Sequence, residues 1–145
     1  MPGAFCFMAP RFTITADRAR VLAFVRTHVP LSLVENMTAL GLERDGELIA
    51  GVIYEGFNGH NIWMHCAIPG RITRDYLHAV FRYPFEQLGC TRVSGYVEAS
   101  NAKARRFNEH LGFRPEARLR GAASDGGDVI LYAMTKEGCR YVAQD

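Results

Sequence analysis

Two side chains in this sequence stand where a proton could be exchanged at neutral pH. His65 sits inside the apolar run His60–Ile68, and Glu98 closes the run Arg92–Glu98. An imidazole, with a reference pKa of about 6.5, suits a general base, and a carboxylate can do the same work where its surroundings favour it. Each residue also has a plain reading: His65 as a hydrogen-bonded core or surface histidine, Glu98 as an exposed strand-end carboxylate. A third feature is the helix start at Thr73, flanked by Arg71 and Arg74. The first turn of a helix offers free N–H groups and a partial positive charge. The four cysteines (Cys6, Cys66, Cys90 and Cys139) include no C-x-x-C pair, so no metal site is expected. Their scatter does not suggest a disulfide framework; reduced thiols in a cytoplasmic protein fit best.

The elements that must position these residues follow from periodicity and punctuation. Arg11–Ile14 reads as a first strand. Thr15 can cap a helix with Asp17 in its first turn, Val21, Phe24 and Val25 on one face, and Pro30 as its stop. Leu31–Asn36 fits a short helix or a loop. Ala39–Arg44, Leu48–Tyr54 and His60–Ile68 read as an antiparallel meander, turned by Asp45-Gly46 and by the Gly56–Gly59 stretch. Thr73 then caps an amphipathic helix carrying Leu77, Val80, Phe81, Pro84, Phe85 and Leu88 on one face. Pro84 must bend that helix, because it cannot donate to the carbonyl of Val80. Gly89 suits the left-handed position after its end. Arg92–Glu98 is a strand. Ser100 or Asn101 caps the next helix, with Ala104, Phe107 and Leu111 inward and Gly112 at its end. Phe113–Arg120 and Val129–Thr135 complete the strands, and the last ten residues read as a tail or short helix. An antiparallel meander followed by βαβαββ gives an α/β (α+β) fold: one mixed sheet with helices on both faces.

A chain of 145 residues, 48% hydrophobic and 22% charged, is of a size to fold as one domain. Its 17 basic and 15 acidic residues are too evenly balanced to suggest a nucleic-acid partner. The densest basic stretch, Arg114 to Arg120, is interrupted by Glu116 and reads as a solvated strand edge. No apolar run approaches the length of a membrane span, and the apolar start Met1–Pro10 is too short for a signal peptide and lacks its basic leader. No membrane partner is expected.

One segment carries a resemblance. Val97-Glu98-Ala99-Ser100-Asn101, then Ala104, Phe107 and Leu111-Gly112-Phe113, is similar to the strand–Asn–helix–Leu-Gly-Phe pattern of the GNAT superfamily of acyl-CoA-dependent N-acyltransferases. Tyr132-Ala133-Met134 resembles that family's last core strand. The likeness covers residues 11–137 or so and lies nearest to small phage and prophage GNAT proteins. It implies an enzyme that transfers acetyl from acetyl-CoA, as co-substrate, to an amine of a small molecule or a protein. It leaves a homodimer possible. It leaves open as well a catalytically silent CoA binder, or a protein-interaction module, on the same fold.

The resemblance also implies a site. The donor thioester would lie between the splayed ends of the fourth and fifth strands, against Cys66, Ala67 and Ile68. A main-chain amide there would face the thioester oxygen as charge builds on it. Asn101 and Ala104 would hold the pantetheine, and His65, Glu98 or a relayed water chain with no single base would take the proton. Strand alternation points His65 away from the face that relatives use, unless a bulge shifts it. Relatives place a tyrosine as general acid where Asn108 stands; an amide can still donate a hydrogen bond to the departing sulfur. Tyr132 is a possible substitute. The family's glycine-rich pyrophosphate loop is reduced to Ile68-Pro69-Gly70-Arg71-Ile72-Thr73-Arg74, with one glycine. Arg71, Thr73 and Arg74 would then bind phosphate in its place, or form an ordinary exposed helix start.

Overall fold

In a strand, successive side chains alternate between faces, and that alternation sets the layers of this molecule. The computed structural model describes residues 9–29 and 36–144. Its elements are β1 (Phe12–Thr15), α1 (Arg18–His28), β2 (Thr38–Arg44), β3 (Glu47–Glu55), β4 (Asn61–Ala67), α2 (Arg74–Arg82), β5 (Arg92–Glu98), α3 (Ala102–Leu111), β6 (Arg114–Leu119) and β7 (Val129–Thr135). The strands form one sheet in the order β1-β2-β3-β4-β5-β7-β6. Every pairing is antiparallel except β4 with β5.

On one face Ile53 and Ala67 pack with Val21 and Val25 of α1. Glycines allow this close approach. A Cβ on Gly51 would stand 3.0 Å from Val25, and one on Gly41 2.7 Å from Val21. On the other face Val52, Tyr54, Met64, Val93 and Met134 pack with Tyr76, Val80 and Phe81 of α2 and with Leu111 of α3. Helices therefore cover both faces, as expected.

Several local expectations are corrected. Asp17, not Thr15, caps α1, accepting from Arg20 N; Thr15 Oγ accepts from Asp17 N instead. The stop at Pro30 and most of Leu31–Asn36 lie outside the described residues. The second helix does not simply bend at Pro84. It becomes a π-helical turn over Tyr83–Gln87, closed by Leu88 N to the carbonyl of Tyr83. The Val80 carbonyl that Pro84 cannot serve accepts from Tyr54 Oη at 2.6 Å. Tyr76, absent from the predicted face, is fully buried, and its hydroxyl donates to the carbonyl of Leu40 at 2.8 Å. The strand expected from Phe113 begins at Arg114; Phe113 is buried. The residues after β7 form turns that fold back on the core: Tyr141 stacks on Phe81, with Cys139 and Val142 buried. The edge strand β6 is exposed at all six residues, and its Glu116 and Arg118 pair with Arg92 and Asp128.

Candidate functional site

The site begins where the parallel pairing stops. β4 and β5 are paired at Asn61–Trp63 with Arg92–Ser94 and no further. At this end a polar chain staples them. Ser94 Oγ donates to Asn61 Oδ1 at 2.6 Å and accepts from Arg92 Nε at 2.8 Å. The amides of Thr91 and Arg92 both donate to the carbonyl of His60. Beyond Trp63 the strands diverge, and Met64–Ala67 keeps only β3 as a partner. The other edge of this segment is left without a ladder, so its backbone donors are available to something else.

The divergence opens a slot of about 490 Å³. Alternation gives it two mouths. Met64 and Cys66 pair with Tyr54 and Val52, so they face the α2–α3 side. There the slot is completed by Val97, Asn101, Ala104, Phe107, Asn108 and Phe113. His65 and Ala67 pair with Ile53 and Gly51, so they face the α1 side, where Tyr96, Glu98, His28 and Ser124 complete the wall. Gly95 keeps the passage open: a Cβ there would stand 3.5 Å from the carbonyl oxygen of Met64 across the gap.

His65, Cys66, Ala67, Ile68, Glu98, Asn101, Ala104 and Asn108 are thus brought together around one cavity. β4 has no bulge, so His65 does lie on the opposite face from Met64; it reaches the slot because the slot is open on that face too. His65 is buried, and its Nε2 lies 2.9 Å from Glu55 Oε1. Glu98 Oε1 accepts from both the amide and the hydroxyl of Ser124, which ties the strand end to the following turn. Asn101 caps α3 through Oδ1, which accepts from Ala104 N, and its side-chain NH2 remains to donate to a ligand. Asn108 is half-buried on the flank of α3, its backbone carbonyl accepting from Gly112 and Phe113. Burial pushes the Cys66 thiol up to about 12, so at neutral pH it stays protonated. Tyr132 is buried with its hydroxyl unpartnered, and it is not among the residues lining the slot.

The three phosphate candidates stand apart from these. Thr73 caps α2 by accepting from Tyr76 N. Arg74 is the first residue of α2. Arg71 lines a shallower depression of about 660 Å³ with Phe12, Phe24 and Arg44. Pro69 lines both cavities. The charged residues of the depression are two guanidiniums, which cannot exchange a proton at neutral pH, so it suits an anion rather than a reaction. Two residues gave no signal beforehand. They are Glu55, at the end of β3 beside Gly56, and Tyr96, inside β5.

No protein-family model and no curated protein matches the chain by sequence. Its fold, however, matches solved structures. One is a probable acetyltransferase, 24% identical with a TM-score of 0.61 over 70% of this chain and 63% of that one. Another is the spermidine/spermine N-acetyltransferase SpeG of Vibrio cholerae, 17% identical with a TM-score of 0.71 over 86% and 92% of the two chains. A third is a GNAT-family acetyltransferase from Bacillus anthracis, 16% identical with a TM-score of 0.58 over 68% and 66%. The match thus spans just under two thirds of the first and third of these chains. The architecture is GNAT-like.

Proposed function

We propose that this protein is an N-acetyltransferase that passes acetyl from acetyl-CoA directly to an amine. The observation that carries the reading is the slot with two mouths. A thioester entering from the α2–α3 side and an amine entering from the α1 side would meet at the divergence of β4 and β5. The α2–α3 mouth suits a thin, mostly apolar chain, since Met64, Val97, Phe107 and Phe113 form much of its wall. Gly70 leaves room at the outer end, where a Cβ would meet nothing within 4 Å. Arg71, Arg74 and the start of α2 would there hold phosphate, and Thr73 keeps its hydroxyl proton for the same purpose.

The chemistry asks three things of the protein. The amine must lose a proton as its nitrogen bonds to the acyl carbon; His65 can accept it, with Glu98 on the same face two residues beyond Tyr96. The carbonyl oxygen needs a donor, which the unladdered backbone of Met64–Ala67 and Ile68 supplies. The C–S bond breaks, and the departing sulfur takes a hydrogen bond from Asn108 and finally a proton from water. Cys66, held as a thiol, is a poor nucleophile. Direct transfer therefore fits better than an acyl-cysteine. The amine itself is proposed to be small, in line with the polyamine activity named for SpeG.

Acetyl-CoA should raise the melting temperature, because a ligand that binds only the native state stabilises it by mass action. Thiol release should then appear with at least one member of a panel of polyamines, amino acids and peptide amines. No thermal shift at millimolar acetyl-CoA would remove the proposal. Binding without release would favour the second reading, a silent acyl-CoA binder. That reading has its own support: Asn108 stands where relatives carry an acid, and the Tyr132 hydroxyl does not line the slot.

A further inference from the structure

The acyl-transfer reading leaves one contact of His65 unused. Glu55 ends β3 opposite Trp63, and its Oε1 lies 2.9 Å from Nε2 of His65. The two side chains are 22% and 8% exposed. Glu55 Oε2 is buried and has no hydrogen-bond partner among the described residues. A desolvated carboxylate oxygen without a donor is costly and asks for an explanation. Packing alone does not supply one, because a leucine of similar size would avoid the cost.

The chemistry of the pair does. A carboxylate only accepts hydrogen bonds, so Nε2 must carry the proton that joins it to Glu55. In the neutral ring the lone pair then sits on Nδ1. Nδ1 has no partner among the described residues, and the ring lies in the wall of the slot. Tyr96 closes over the ring edge-on, with centroids 5.4 Å apart, and blocks rotation from that side. The titratable or charged groups around the pair are Tyr96 and Glu98 from β5 and His28 from the end of α1, all lining the same mouth. None of them lies within hydrogen-bond distance of the ring nitrogens in the described structure, so Glu55 alone fixes the tautomer.

We propose that Glu55 is a positioning residue: it holds His65 as the Nε2–H tautomer and leaves Nδ1 as the proton acceptor facing the amine. The proposal rests on the transferase reading, and its test separates the two. Nitrogen-15 NMR of the full chain, with the His65 signals identified by their loss in His65→Gln, reads the tautomer directly. Wild-type protein should show protonated Nε2 and unprotonated Nδ1, and Glu55→Gln should show a mixture. With an amine that wild type acetylates, Glu55→Gln should lower kcat about 10- to 100-fold, the range for losing an orienting partner. Its acetyl-CoA affinity should change less than about twofold, because Glu55 lies on the opposite face from the donor mouth. A protonated Nδ1 in wild type overturns the proposal. So does an unchanged tautomer or an unchanged kcat in Glu55→Gln. If wild type acetylates no amine, the transferase reading fails, and the tautomer spectrum still decides the role of Glu55. If Glu55→Gln does not fold, the wild-type spectrum decides it alone.

Discussion

The two ends of β4 differ in what holds them. Asn61–Trp63 are laddered to β5 and stapled to it through Ser94 and Arg92, whereas Met64–Ala67 answer only to β3. The closed end is polar where it crosses between strands. The open end is apolar on one face, carries a histidine on the other, and keeps its backbone unladdered toward the gap. One strand thus serves as structure for its first half and as a wall for its second. The staple lets the strands part beyond it without the sheet coming apart.

The comparison can be broken from the open end first. Replacing Arg71 and Arg74 together by Ala should cost CoA affinity about 1.5–3 kcal/mol for each charge-assisted bond lost, or about 100-fold or more for the pair. A phosphate-free pantetheine analogue should bind as before, and calorimetry with both ligands reads the difference. Equal losses would show that the two arginines only support the fold. Gly95→Val narrows the slot itself. Overpacking of about 1–3 kcal/mol should weaken acetyl-CoA about 10- to 100-fold while the melting temperature of the free protein hardly moves. The backbone at Gly95 is ordinary strand, so the substitution adds no strain of its own.

The closed end should respond in the opposite way. Ser94→Ala removes the hydroxyl that joins Asn61 to Arg92 and should lower stability by about 1–2 kcal/mol in chemical denaturation. Affinity for acetyl-CoA should fall far less than in Gly95→Val. The smallest effect is expected at Asn108→Ala. One hydrogen bond to the developing thiolate is worth about 0.5–1.5 kcal/mol, so kcat should drop about three- to tenfold with binding intact. Unchanged turnover with lower stability would assign Asn108 to α3 rather than to the reaction.

Much of this frame could be read from local signals. Asp45-Gly46 marks a tight turn because both residues take positive φ there, 50° and 84°. Asn101 and Gly112 bracket α3 because one side chain caps its first turn and the other residue accepts a left-handed backbone. The bounds of Arg92–Glu98 and Val129–Thr135 match outright. The slot came only through the resemblance, because strand divergence is a relation between residues about thirty apart and leaves no mark in either strand. The face of His65 followed from alternation; that this face also opens on the cavity did not. Glu55 escaped notice because its role depends on a partner ten residues away in the next strand. At Pro84 the spacing of Val80, Phe81 and Phe85 suits an α-helix and a π-turn alike, so periodicity could not separate them.

Pro84 has a consequence for the order in which the chain can assemble. A helix normally closes its own carbonyls and leaves none of them waiting on another element. Here the buried carbonyl of Val80 is closed by the hydroxyl of Tyr54, from a strand of the meander that precedes the helix in sequence. The first turn of α2 has a local cap in Thr73, but the stretch from Val80 through the π-turn gains its buried hydrogen bond only once β3 is in position beneath it. The contacts made there by Phe85 and Leu88 therefore belong to the late part of folding. Changes in them should register mainly in the rate of unfolding, and loss of the local Thr73 cap at the head of the helix more in the rate of folding.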